Sequence, residues 1–341
     1  MFILLKPILI AALSTFVAIY ILYPIAFKLN LLDLPNSRKN HKDSIPLIGG
    51  IAMFIGLIIG ILFSPIEYNN LNYFLLSALI LIIVGIVDDF SNISVRPRLL
   101  FQIIAALVLV TVGGVSIQSF GNILGFGEVF LGKWSLLISV LAIMAAINAV
   151  NMADGAHGLA GGNSLISLMG ISYLAINSSS MDIFVICILL SSVLVVFLVF
   201  NLSNRKRIFM GDSGSMFLGL SLVWALIFLS QGENKVFSPV IALWLFALPL
   251  FELFSTVLRR IISGVSPFKA DSSHSHHLLI ELGLTGKSTV LLLLMGTILT
   301  VLLGIIGVEY AIAEKLMLIS FVLVFIVYFF AKELAWRIIN K

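Results

Sequence analysis

Residues 71–92 read LNYFLLSALILIIVGIVDDFSN. The stretch 71–87 carries no charged side chain and is long enough to cross the hydrocarbon core of a bilayer as a helix. It ends in two adjacent carboxylates, Asp88 and Asp89. Charged groups at a membrane boundary are costly unless solvated, paired or bound to a cation. The segment therefore reads as a transmembrane span that delivers two aspartates to the membrane surface. Solvation at a helix end is the simpler role for them. The chemical role is a general base or a magnesium-linked phosphate site, because neighbouring carboxylates raise each other's pKa unless a cation sits nearby.

The rest of the chain repeats this pattern. Of 341 residues, 60% are hydrophobic and only 11% are Asp, Glu, Lys or Arg. A soluble domain carries about 25% charged residues, so composition excludes a soluble globular protein as well as a disordered one. The fold class expected is all-α, a polytopic integral membrane bundle of about 11 transmembrane helices (10–11). The candidate spans are 7–27, 46–64, 71–87, 99–115, 134–150, 158–177, 181–202, 212–230, 236–257, 288–308 and 314–334. The first reads as a retained span rather than a cleaved signal. No loop is long enough for a second domain, so residues 1–341 are read as one membrane domain with polar loops at 28–45, 88–98, 148–158, 203–215 and 258–287. Cys187 is the only cysteine, which excludes an internal disulfide and a Cys-based metal site.

Charge sets the orientation. Of the 20 Lys and Arg, all but Lys6, Lys133, Lys235 and Lys315 fall on one side. The positive-inside rule makes that side cytoplasmic, with the N-terminus periplasmic and the C-terminus cytoplasmic. The unusual polar sequences lie on the same side. They are PNSRKNHKDSIPLIGG, VDDFSNISVRPR, NAVNMADGAHGLAGG, NRKRIFMGDSGS and SPFKADSSHSHH. A transporter more often places its polar residues near the bilayer midplane, on broken helices. The pattern suits an enzyme working at the cytoplasmic interface.

Several residues in these segments are suited to chemistry. Asn148 and Asn151 are three apart and share a helix face, and Asp154-Gly155 follows them. Asn and Asp supply oxygen ligands of the kind Mg²⁺ takes. Gly158, Gly161 and Gly162 let backbone approach a phosphate or nucleoside closely. Gly211-Asp212-Ser213-Gly214-Ser215 opens a span, where free N–H donors favour anions. Asp212 either caps that helix or ligates a metal. His274, His276 and His277 fall in one short stretch whose spacing does not match a zinc site but suits phosphate binding or proton transfer. Glu252, inside an apolar run, is expected to face the bundle interior and pair with a basic group. Gly49-Gly50 is expected to permit close helix packing. Oxygen ligands, basic side chains, histidines and glycine turns together suit phosphoryl transfer, and the location suggests a lipid phosphate as one substrate.

These motifs, in this order and topology, resemble the polyprenyl-phosphate N-acetylhexosamine-1-phosphate transferases (glycosyltransferase family 4). The resemblance runs from about Pro35 to Leu278 and is nearest the undecaprenyl-phosphate GlcNAc-1-phosphate transferase branch. It implies that undecaprenyl phosphate attacks the β-phosphorus of a UDP-N-acetylhexosamine, giving undecaprenyl-diphospho-sugar and UMP, with Mg²⁺ or Mn²⁺ as cofactor. The product would initiate a cell-envelope glycan of the O-antigen, enterobacterial common antigen or teichoic acid type. By position, Asp88, Asp89, His276 and His277 match catalytic residues, and Asp212, Asn151 and Asp154 match the metal site. Lys39, His41, Asn148, His157, Gly211, Ser213, His274 and Asp271 match substrate-binding positions. His157 stands where relatives place an acidic or amide residue towards uracil; an imidazole can exchange one hydrogen bond there but not match a carboxylate's charge. Asn92 replaces a third acidic position, and Ser272 or Ser273 a basic one. The resemblance implies a multi-pass protein of the bacterial cytoplasmic membrane with membrane lipid and no nucleic acid as partner, and it leaves a homodimer open. A transporter of a phosphorylated metabolite and a Mg-dependent prenyltransferase are the competing readings. The second usually needs two Asp-rich clusters, and only VDDFSN is rich here.

Overall fold

The computed structural model describes residues 2–34, 44–66, 68, 71–176, 178, 180–232, 235–266 and 274–339. The chain is helical almost throughout. In order the helices are α1 (Phe2–Leu29), α2 (Gly49–Leu62), α3 (Leu71–Ser91), α4 (Val95–Leu107), α5 (Ser135–Ala153), α6 (Leu159–Ala175), α7 (Met181–Asn201) and α8 (Gly211–Ser230). They continue as α9 (Pro239–Leu245), α10 (Ala247–Ile262), α11 (Ser275–Glu281), α12 (Gly286–Glu309) and α13 (Glu314–Ile339). A short antiparallel pair, β1 (Leu32–Asp33) and β2 (Ile45–Pro46), brackets residues 35–43.

Among the described residues, eight helical spans are long and apolar enough to cross a membrane. A ninth is the pair α9 and α10, bent by 85° at Phe246. The two glycine-rich segments expected to span form shorter apolar helices, α2 with 14 residues and α6 with 17. The protein is thus a polytopic helical membrane protein. Its lipid-facing surface is apolar: Leu13 is 63% exposed, Val327 68% and Phe330 65%, values that a water-facing surface would not sustain over whole helix faces.

Helix α8 is the axis of the bundle. It is apolar on nearly all sides and buried over nearly its whole length, as a helix without a polar face must be. Helices α2, α3, α5, α6 and α9 pack around it. Three glycines allow the closest approaches. A Cβ on Gly50 would overlap the backbone of Gly214, one on Gly85 the backbone of Ser213, and one on Gly219 would lie 2.6 Å from the Ile147 Cα. Small residues let helix backbones meet where no hydrophobic force drives association in lipid. The expectation for Gly50 is met in this form; a Cβ on Gly49 would lie 2.5 Å from the Phe197 ring.

The start of α8 is also pinned from the segment before α2. Phe209 N–H donates to Pro46 O at 2.8 Å, Gly49 N–H to Phe209 O at 2.9 Å and Gly50 N–H to Met210 O at 3.0 Å. This mini-ladder fixes Gly211 and Asp212 relative to the start of α2. The polar motifs accordingly collect at one end of the bundle: the last turns of α3 and α5, the first turn of α8, the end of α10 and all of α11.

Candidate active site

Asp88 and Asp89 are consecutive on α3, hence roughly 100° apart, and they reach different partners. Asp88 is buried (4% exposed) and accepts from Arg98 Nη1 at 3.1 Å. Its carboxyl also meets that of Asp212 in a hydrogen-bond contact. Asp89 turns to α8, accepting from Asp212 N–H at 2.8 Å, Ser213 N–H at 3.4 Å and Ser213 Oγ at 3.2 Å. These are first-turn donors that the helix itself leaves unpaired. Asp212 therefore does not cap its own helix. The acceptor at the α8 N-terminus is the Asp89 carboxyl group, supplied by another helix. Gly211 makes room for it: its φ is +73°, and a Cβ there would lie 2.5 Å from Asp89 Oδ2.

With its backbone held by Asp89, the Asp212 side chain faces α5. Asn151 Nδ2 donates to Asp212 Oδ1 at 2.5 Å and to Ser215 Oγ at 2.9 Å. Asn148 does not join it. Its Nδ2 donates to Gln102 Oε1 of α4 at 2.8 Å and to Met144 O at 2.7 Å. The two amides are three residues apart, which separates them by roughly 60° around the helix. That is enough, with α5 between α4 and α8, to give them different neighbours. Asn148 thus acts as a helix–helix tie where the sequence suggested a shared ligand face.

Asp154 follows the end of α5. Its side chain reaches solvent although protein surrounds it on most sides. That desolvation, then the negative charges of Asp212, Asp89 and Asp33, hold its carboxyl well above the usual carboxylate range. Beside it, a Cβ on Gly155 would lie 2.5 Å from Cε1 and Nε2 of His276, so the glycine admits the imidazole against the backbone. His276 is 3% exposed, and its Nε2 has no hydrogen-bond partner among the described residues. Burial, then the neighbouring His277 and His274, pushes its pKa down to about 3. Burial and His274 also lower that of His277. The rings of His274 and His276 lie parallel with centroids 5.8 Å apart. His157 is exposed and stacks on Phe209, centroids 5.0 Å apart.

The structure thus brings Asp88, Asp89, Asn151, Gly211, Asp212 and Ser213 into one constellation, with Asp154 and His276 alongside through Gly155. Lys39, His41 and Asp271 lie outside the described residues. Among the described residues no three acidic, His or Cys side chains form a metal cluster by themselves. A cleft of about 530 Å³ lies at the far end of the bundle, by Asn122, Glu314 and Lys315, and is lined by none of these motifs. In the sequence Arg98 reads only as a topological charge; the short link from α3 to α4 brings it back onto Asp88. Gln102 is an amide within an apolar run, and that isolation is its signal in the sequence. Phe209 carried none.

Fold and site define a class: a polytopic helical membrane protein whose carboxylates, amides and histidines meet at one end of the bundle around a buried helix N-terminus. Comparison with known proteins makes the class specific. The model of glycosyl transferase family 4 matches residues 71–230, the stretch from the first residue of α3 to the last of α8. The chain is 34% identical to the undecaprenyl-phosphate alpha-N-acetylglucosaminyl 1-phosphate transferase of Yersinia pestis over 324 residues, 94% of this chain and 89% of that one. It is 34% identical to the Haemophilus influenzae protein of the same name over 338 residues, covering 97% and 94%. The protein of that name from Escherichia coli strain K12 is 33% identical over 321 residues, covering 92% and 87%. The chain belongs to glycosyl transferase family 4.

Proposed function

We propose that the protein transfers N-acetylglucosamine 1-phosphate from UDP-N-acetylglucosamine to undecaprenyl phosphate. An oxygen of the lipid phosphate attacks the β-phosphorus of the donor, and the bond from that phosphorus to the UMP oxygen breaks. The products are undecaprenyl-diphospho-N-acetylglucosamine, which starts a lipid-linked cell-envelope glycan, and UMP. The observation that carries this reading is the meeting of the α3, α5 and α8 motifs at one end of the bundle. The names of the relatives supply the donor and acceptor. The site would face the cytoplasm from the bacterial cytoplasmic membrane, in keeping with the positive charge at that end.

The donor set fits Mg²⁺. Asp88 and Asp212 bring two carboxyl groups into contact, a costly arrangement without a shared proton or a cation. Mg²⁺ characteristically takes one or two carboxylates and completes its shell with water and substrate phosphates. Asp212, with Asn151 and Asp154 at hand, would hold it, and it would neutralise charge on the diphosphate oxygens. The chain's own groups do the rest. Asp89 holds the first turn of α8 so that Asp212 faces α5. Arg98, paired with Asp88 and still partly exposed, is placed to meet an oxygen of the lipid phosphate. Neutral His276 and His277 can take up or give a hydrogen bond at the diphosphate and sugar. The His157–Phe209 stack offers an aromatic face for uracil. A panel of UDP-N-acetylhexosamines tests the reading. UDP-N-acetylglucosamine should be the best donor and UMP the nucleotide released in proportion to lipid; release of UDP would mean ordinary glycosyl transfer instead.

A further inference from the structure

The histidine segment is anchored to a residue with no part in the phosphoryl-transfer set. Glu252, on α10, is buried, and both its oxygens are fully used. Oε1 accepts from His274 Nδ1 at 3.1 Å, Ser275 N–H at 3.1 Å and Lys332 Nζ at 2.8 Å. Oε2 lies 2.7 Å from Ser275 Oγ and 2.5 Å from Tyr328 OH, and the two hydroxyls lie 2.6 Å from each other, so their two hydrogens serve a three-way contact closed on the carboxylate. Lys332, 6% exposed, gives its remaining hydrogens to Ser255 Oγ and Thr256 Oγ1, both at 3.0 Å. A carboxylate met by an ammonium, a backbone N–H and a hydroxyl pair is ionised and accepts only. The His274 ring must therefore carry a proton on Nδ1. Ser275 is the first residue of α11, so the same carboxylate fixes where that helix begins, and with it His276 and His277.

We propose that Glu252, held by Tyr328 and Lys332 of α13, is a positioning residue: it sets the tautomer of His274 and the seating of the α11 histidines. The C-terminal helix, otherwise mostly facing lipid, thereby serves the active site through α10 and α11, on both of which it packs. A buried ion pair is a poor source of net stability, because desolvation offsets most of the attraction. Satisfied polar networks do specify one geometry. The catalytic consequence rests on the reading of the protein as a phosphosugar transferase; the tautomer does not.

Two readouts test the proposal on the purified full-length protein in detergent. In ¹⁵N-histidine NMR, the wild type should show one ring in the Nδ1–H form, absent from His274→Gln and shifted towards Nε2–H in Glu252→Gln. In turnover assays, Glu252→Gln and Lys332→Met should lower kcat by tenfold or more while KM for donor and lipid stays within about twofold. Tyr328→Phe, which removes one hydroxyl and keeps the packing, should lower kcat about threefold and carries the kinetic test if the other variants do not fold. An Nε2–H ring at His274 in the wild type would overturn the proposal, as would full kcat in a folded Glu252→Gln or Tyr328→Phe protein. If the wild type releases no UMP, the transferase reading fails, and the NMR still decides the role of Glu252.

Discussion

The Asp89 carboxylate accepts the backbone N–H of Asp212 at 2.8 Å, so the last turn of α3 caps the first turn of α8. An N-terminal cap normally comes from the residue just before the helix. Here it comes from a residue 123 positions earlier, and the consequence is division of labour within the aspartate pair. One member holds backbone and the other meets Arg98 and Asp212.

Asp89→Ala should expose this. Losing the cap at a helix start costs about 1–2 kcal/mol, enough to lower the thermal midpoint in detergent by several degrees. Asp89→Asn keeps an acceptor and should lose less stability. A variant as stable as wild type with Ala at this position would remove the cap from the account.

Asp212→Asn separates function from folding. In the proposed mechanism the side chain holds a cation on the diphosphate, a contribution of several kcal/mol, so turnover should fall at least about 100-fold. Stability should hold or rise in cation-free buffer, because the contact between the Asp88 and Asp212 carboxyls is relieved. Full activity would take Asp212 out of the metal site.

The two α5 amides should behave differently. Asn151→Ala should depress turnover strongly, because it releases Asp212 and Ser215 together. Asn148→Ala breaks a tie to buried Gln102 and should cost about 1–3 kcal/mol in stability, with activity of the remaining folded protein near normal. Equal activity losses at comparable folding would contradict the separation.

The buried His276 gives a pH signature. Its folded pKa is near 3, below the value of about 6.5 expected in the unfolded chain. Between those values the unfolded state binds the extra proton. The stability contributed by the neutral ring is therefore complete above about pH 6.5 and is lost as the pH falls towards 3. Thermal midpoints measured from pH 7.5 to 5 should fall, and those of His276→Gln should fall less. Parallel curves would place the titrating group elsewhere.

Much of the site was legible in the sequence because lipid makes polar residues conspicuous. Asp88-Asp89 after seventeen uncharged positions, or three histidines within four residues, announce themselves against an apolar chain. Segments near 46–64 and 158–177 were recognisable as apolar, but α2 begins only after the β2 strand and ends before Ser64-Pro65, and α6 begins after Gly158 in a left-handed turn, so the helices are shorter than the apolar runs. The 85° break at Phe246 was not legible, since an apolar run reads the same straight or bent. Nor was the pairing within the polar set. Spacing along a helix put Asn148 beside Asn151, whereas the neighbours α4 and α8 decide what each meets. Glu252 was expected to find a basic partner, but Lys332 lies 80 residues away and its sequence suggested only a topological charge.

The most direct test of the transferase reading follows the donor's β-phosphorus. Purified protein is given undecaprenyl phosphate, Mg²⁺ and UDP-N-acetylglucosamine labelled with ³²P at the β position. The label should move into the lipid with the sugar, leaving unlabelled UMP in the water phase. Label retained in a released nucleotide, with sugar alone on the lipid, would contradict phosphosugar transfer.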